Sequence, residues 1–203
     1  MKTNYDLVFQ EIIKNLQGRP KVLLRPKVLL HSCCGPCSNH VINVMKNYFN
    51  ITVIYYNPNI QPIEEYEKRK KEQIKLLNQL NDVSYLDCDY NGEDYKKVIV
   101  GLEQEKEGGK RCEKCIGLRM RKTALIAKEN NFDYFATTLT VSPHKNSQLI
   151  NGLGRIIEQE LQIKYLYGDF KKNDGYLKSI ELAKKYDLYR QNYCGCLYAK
   201  TIE

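Results

Sequence analysis

VLLHSCCGPCS, at positions 28–38, decides how the rest of this chain reads. A short apolar run ends in a histidine. Two adjacent cysteines follow, and a third stands beyond a Gly–Pro pair. Residues 28–31 have the composition of a buried strand, so the cysteines fall at a strand's C-terminal end. In open α/β sheets, ligands collect at that end.

The pattern continues outward in alternation. Residues 39–50 read as a helix, with Val41, Ile42, Val44, Met45 and Tyr48 apolar. Residues 51–56 (ITVIYY) are β-branched and aromatic, hence a strand. A loop with two prolines, a charged helix over 63–80 and a third strand over 83–88 come next. Residues 94–107 read as mostly helical up to Gly108–Gly109, 112–130 as a long helix and 133–138 as a fourth strand. Helices are expected over 147–162 and 179–186. Strands separated by helices imply a parallel α/β sheet flanked by helices. The loops 31–37, 56–62, 88–90 and 139–146 then converge on one edge of it.

Upstream, MKTNYDLVFQEIIKNLQ is polar and carries acids, so it reads as an amphipathic helix and not a signal peptide. RPKVLL occurs twice, at 19–24 and 25–30, which reads as a tandem duplication. Two prolines do not both fit a central strand, so the first copy is expected to be a surface leader. The division expected is therefore 1–27 as helix and leader, and 28–203 as a single α/β domain.

No stretch approaches the ~20 apolar residues of a membrane span. A cytoplasmic protein without membrane contact is expected. In a reducing compartment, eight cysteines point to metal binding or redox chemistry more than to disulfides. The net charge of +8 is compatible with a nucleic-acid partner.

Seven of the cysteines form three groups: Cys33, Cys34 and Cys37; Cys112 and Cys115 in RCEKC; Cys194 and Cys196 in YCGC. Cys88 stands apart and reads as an ordinary buried cysteine. Cys112 and Cys115 open a helix, where both thiols face one side and the N-terminus favours thiolates. Gly35 and Gly195 are expected to permit tight turns. Seven thiolates exceed what one zinc or one [4Fe–4S] cluster takes. They fit a cluster plus a second metal, or a cluster plus a redox-active pair. The radical-SAM and bacterial ferredoxin spacings are absent. A structural zinc site, or a thioredoxin-like dithiol at Cys34–Cys37 or Cys112–Cys115, stays open on spacing alone.

LLHSCCGPCS, YYNPNIQPIEEYEKR, GKRCEKCIGLRM, TTLTVSPHKN, GDFKKNDGY and LYRQNYCGC, in this order, resemble the QueH family of epoxyqueuosine reductases. The resemblance runs from about residue 28 to 200. It implies a Rossmann-like fold of the HUP (adenine-nucleotide α-hydrolase-like) group, with a cysteine-rich metal site at the strand C-terminal edge. It implies reduction of epoxyqueuosine to queuosine at the wobble position, the last step of queuosine synthesis, on tRNAs with a GUN anticodon (Asp, Asn, His, Tyr). It further implies a [4Fe–4S] cluster with an additional metal ion, iron, beside it, no cobalamin, and an electron donor not identified by sequence. Cys33, Cys34, Cys112, Cys115, Cys194 and Cys196 match family cysteines. Cys37 matches a position also held by aspartate, as suits a ligand of the second metal. We expect Cys34, Cys112, Cys115 and one of the Cys194–Cys196 pair at the cluster.

Such a reaction needs a proton donor, and His144, Lys145 and Tyr193 are the candidates. Asn57, Asn59, Glu65 and Arg69 follow the second strand and are expected near substrate. Arg111, Arg119, Lys171, Lys172 and Arg190 are expected to form a phosphate-binding rim. Two other readings compete: a zinc protein that contacts tRNA, and a PP-loop tRNA sulfur-transfer enzyme. The latter needs an SGGxDS loop where this chain has SCCGPCS.

Overall fold

The structure, a computed structural model, describes residues 2–17 and 25–199. The first RPKVLL copy lies outside the described residues. Five strands make one parallel sheet: β1 (Lys27–His31), β2 (Asn50–Ile54), β3 (Val83–Leu86), β4 (Tyr134–Thr137) and β5 (Lys164–Tyr165). Their spatial order is β3-β2-β1-β4-β5. Among the described residues, no helix is long and apolar enough to cross a membrane.

β1 is central and has no solvent face. Val28 and Leu30 point into one core layer, Leu29 into the other, as the two-residue period of a strand dictates. On the first face lie α1 (Tyr5–Gln17), through Phe9 and Ile13, and α2 (Gly35–Met45), through Val41, Ile42 and Met45. On the second lie α5 (Lys110–Glu129), through Ile116, Met120, Ala124 and Ala127, and α6 (Ser147–Leu161), through Ile150 and Ile157. The remaining helices are α3 (Ile63–Asn78), α4 (Gly92–Val98) and α7 (Gly175–Lys185).

Several boundaries differ from expectation. The helix expected from residue 39 begins at Gly35, because Pro36 occupies its first turn with φ already set. It stops at Met45, since Asn50 opens β2. Gly35 therefore starts a helix, and its missing side chain serves close packing. A Cβ there would stand 3.0 Å from the Glu72 carbonyl oxygen of α3. The helix expected over 94–107 ends at Val98. Gly101 takes a φ of 76°, and the Arg111 guanidinium collects the carbonyls of Glu103 and Glu105, which a helix would have used internally. β5 was not expected; two residues are too few for a periodic signal.

The chain leaves β1 toward α2 on one side and β4 lies on the other, so the topological switch falls between β1 and β4. His31 closes that crevice and is fully buried. Its Nε2 is 3.1 Å from the Tyr56 carbonyl oxygen, and its Nδ1 is 3.0 Å from Thr137 Oγ1. The carbonyl only accepts, so Nε2 carries the hydrogen and Nδ1 accepts from the threonine. One neutral imidazole thus ties the ends of β1, β2 and β4.

Burial, with the Arg119 charge nearby, lowers the His31 pKa to about 4. The unfolded chain takes up this proton near pH ~6.5, while the fold resists it. Stability is therefore expected to fall as pH drops from about 6.5 to about 4, by about 3 kcal/mol in all. Urea titrations of the metal-free protein across that range check this. His31→Gln is expected to be less stable at neutral pH and to lose this part of the slope.

Candidate metal centre and cavity

At the C-terminal edge of the sheet a cavity of about 910 Å³ opens over the switch point. Cys33, Cys37 and Cys194 line it, together with Asn57, Asn59, Arg69, Arg119, His144, Lys145, Tyr176, Arg190, Gln191 and Tyr193. The convergence expected of the loops after β1, β2 and β4 is observed. The segment after β3 does not reach the cavity, and Cys88 packs half-buried against the core.

The first cysteine group is the tightest. The sulfurs of Cys33, Cys34 and Cys37 all lie within 4.8 Å of one another. Cys33 and Cys34 Sγ are 3.8 Å apart. Cys34 is the N-cap of α2 and Cys37 sits in its first turn, where partial positive charge favours sulfur anions. Hydrogen bonds from Cys34 and Cys37 hold Cys33 well below the usual thiol range. The same bonds push Cys34 up to about 12 and Cys37 well above its ordinary value. Behind the turn, the Gln73 side-chain oxygen accepts from Ser32 Oγ at 2.5 Å and from Ser38 Oγ at 2.8 Å. Thr138 supports the other side, its Oγ1 lying 3.4 Å from Cys33 N and 3.6 Å from its sulfur.

The other four thiols gather at the N-terminus of α5 and the turn after residue 193. Cys115 and Cys196 are buried, and Cys194 and Cys112 are half-buried. Cys115, Cys194 and Cys196 share an apolar cluster with Tyr95 and Ile99. Polar groups reach three of the four sulfurs: the Gly108 amide donates to Cys112 at 3.3 Å and Lys145 Nζ to Cys194 at 3.9 Å, while the Tyr95 hydroxyl shares a hydrogen bond with Cys196 at 2.8 Å. The helix N-terminus was expected to favour the thiolate at Cys115. Burial outweighs it and pushes that thiol up to about 11. Gly195, as expected, makes a turn with φ 92°.

Two cations offset the sulfurs. Arg119 is 3% exposed. Burial opposes its charge, but Cys115, Cys194, Cys33 and Cys112 together raise its pKa. Lys145 is half-buried, and its pKa is raised chiefly by Cys194. Arg119 therefore feels all three cysteine groups. Its Nη1 also donates to Asn57 Oδ1, and Asn57 donates to the Ser32 carbonyl.

The expected substrate and phosphate residues divide. Arg69 is buried and clamps the YCGC turn, donating to the carbonyls of Cys194 at 3.1 Å and Tyr193 at 3.4 Å, while Nε pairs with Glu65 at 2.7 Å. Arg111 is buried among backbone carbonyls, including that of Tyr198. Lys171 pairs with Asp169 at 3.0 Å and donates to the Lys145 carbonyl. Lys172 and Arg190 are exposed, and Arg190 stacks on Tyr176. His144 is exposed on the lining, and Tyr193 lies half-buried on it. Asn59 is buried there. Sequence reasoning missed Gln73, Tyr95, Tyr176 and Gln191. Gln191 and Tyr176 carried a signal, standing inside LYRQNYCGC and GDFKKNDGY.

A profile of the epoxyqueuosine reductase QueH family matches residues 28–201. The chain belongs to the QueH family. An epoxyqueuosine reductase QueH of Streptococcus pyogenes serotype M1 is 43% identical over 207 aligned positions, covering 100% of this chain and 80% of the relative. One from Staphylococcus epidermidis is 42% identical, covering 98% and 85%. One from Thermotoga maritima is 36% identical, covering 85% and 89%. Among solved structures, the U34-tRNA thiolase NcsA of Methanococcus maripaludis with its [4Fe–4S] cluster superposes with a TM-score of 0.58. It is 15% identical, and the match covers 95% of this chain and 67% of that one. A predicted subunit of tRNA methyltransferase from Methanocaldococcus jannaschii gives 0.53 at 16% identity, over 79% and 75%. These two likenesses establish a shared α/β fold for this QueH-family chain.

Removing the Arg69 guanidinium leaves Glu65 and two carbonyls without their donor. Arg69→Ala is expected to cost about 2–4 kcal/mol in urea unfolding. Lysine, a point charge without the planar fork, is expected to recover less than half.

Proposed function

We propose that this protein reduces epoxyqueuosine to queuosine at the wobble position of tRNAs with a GUN anticodon, in the cytoplasm. The observation that carries the reading is a cavity lined by cysteines of the first and third groups together with Arg119 and Lys145, the arginine feeling all three groups, in a chain of the QueH family. The donor set suits a [4Fe–4S] cluster with an additional metal ion, iron. Seven thiols, with buried Arg119 and half-buried Lys145, match the anionic, thiolate-held character of such a centre.

The geometry favours a division different from that expected on sequence. Cys112, Cys115, Cys194 and Cys196 would hold the cluster. Cys33, Cys34 and Cys37, already within ligand range of one another, would hold the additional metal. Such groups supply single electrons and Lewis acidity. The epoxide oxygen leaves as water, so the reaction consumes two electrons and two protons and leaves an alkene.

The chain's own residues bind, orient and supply protons. Arg190 on Tyr176, together with exposed Lys172, would receive anticodon-loop phosphates and an unpaired base. Asn57 and Asn59 line the cavity that would admit the modified base. Lys145 holds its ammonium beside Cys194 and meets charge developing on the epoxide oxygen, with His144 and Tyr193 as further proton carriers. Arg69, Arg111, Glu65 and Lys171 act by holding loops in place.

Anaerobic purification with iron, sulfide and zinc quantification is the test. Roughly four sulfides with four irons, and extra iron, are expected per chain. Zinc without sulfide, in a protein that still reduces epoxyqueuosine in tRNA, would overturn the metal assignment. ATP-dependent thiolation of tRNA would overturn the reaction.

Binding and turnover are expected to separate by residue. Arg190→Ala and Lys172→Ala are expected to weaken tRNA binding and each lower the salt slope by about one. Lys145→Gln is expected to slow single-turnover reduction at least tenfold with little change in affinity, about the weight of one positioned acid or charge. Unchanged turnover in Lys145→Gln would remove it from the chemistry.

A further inference from the structure

We propose that the Tyr95 hydroxyl is a redox-tuning hydrogen-bond donor to Cys196, raising the reduction potential of the centre held by Cys112, Cys115, Cys194 and Cys196. The inference rests on the cluster reading above and extends it to a residue outside every cysteine motif.

Tyr95 lies in α4 and is 1% exposed. Its oxygen stands 2.8 Å from Cys196 Sγ. With a free thiol, either atom can give the hydrogen. A thiolate ligand has none, so the phenol must donate once Cys196 binds metal. The surroundings strengthen the bond. Tyr95, Ile99, Cys115 and Cys196 share one buried apolar cluster, where water does not compete. α4 itself is fixed on the N-terminal side of this contact. Asn91 caps it by accepting from Glu93 N, and the Tyr56 hydroxyl beyond β2 donates to Asp94 at 2.8 Å. The phenol is thus delivered to the sulfur by an element anchored on the sheet.

The effect on the centre has a definite sign. A hydrogen bond draws electron density from the ligating sulfur. It stabilises the reduced cluster, which carries one more negative charge, over the oxidised one. The other donors differ in kind: backbone amides at Cys112 and, from Tyr198, at Cys196, and a lysine at Cys194. A substitution at Tyr95 removes one hydroxyl while leaving the ring to fill the core.

The test is a spectroelectrochemical titration of the reconstituted full-length protein under anaerobic conditions. It compares wild type, Tyr95→Phe, and protein with 3-fluorotyrosine placed at position 95, whose hydroxyl is the stronger donor. In Tyr95→Phe the oxidised-to-reduced ratio at fixed poise is expected to rise about tenfold, a downward shift of ~59 mV for a one-electron couple. The fluorinated protein is expected to shift upward. Opposite signs are not produced by loosened packing. If Tyr95→Phe loses its cluster, the fluorinated protein alone decides by its sign. A wild type that holds cluster while neither substitution moves its potential would overturn this inference alone. A reconstituted wild type without sulfide would overturn the cluster reading and this inference with it.

Discussion

Three parallel strands end on one imidazole. His31 is uncharged, buried and bonded on both ring nitrogens, and it sets the relative heights of the loops after β1, β2 and β4. Everything at the cavity is referred to those heights. Ser32 follows directly and bonds to Gln73. Cys34 then caps α2, and Thr138, one residue beyond the His31 partner Thr137, braces Cys33. The sulfur trio inherits its position from the sheet.

The second requirement is electrostatic. Thiols near one another resist ionisation in sequence, as the spread across Cys33, Cys34 and Cys37 shows. Cations must share the space if more than one sulfur is to become an anion. Arg119 and Lys145 fill that role, one from α5 and one from the loop after β4. Basic residues here serve the interior before they serve a partner. Arg69, Arg111 and Arg119 are each nearly inaccessible, so these three charges lie under the surface.

The sheet, its parallel sense and the edge that carries the cysteines were legible because β1 is an uninterrupted apolar run and helices alternate with strands. The cysteine groups were legible from spacing. The roles of the arginines were not. A charged residue next to a motif looks the same in sequence whether it meets phosphate or holds a carbonyl, and only tertiary packing separates Arg190 from Arg69. Tyr95 was invisible for a related reason: its partner lies about a hundred residues away, and nothing local marks it. Helix ends failed where side chains took the backbone carbonyls, as Arg111 does with Glu103 and Glu105.

The YCGC turn is the last of the three cysteine segments in the chain, yet it is held by residues made long before it. Arg69 donates to two of its carbonyls, the Gln61 amide donates to the Gly195 carbonyl, and the Tyr95 hydroxyl meets Cys196. A nascent chain emerging from the ribosome can therefore complete the sheet and the first thiol trio while the wall formed by Cys194 and Cys196 is still missing. In folding terms this wall rests on contacts of high sequence separation, 125 residues for Arg69 to Cys194 and 101 for Tyr95 to Cys196, the kind whose loop-closure entropy makes them slow to form.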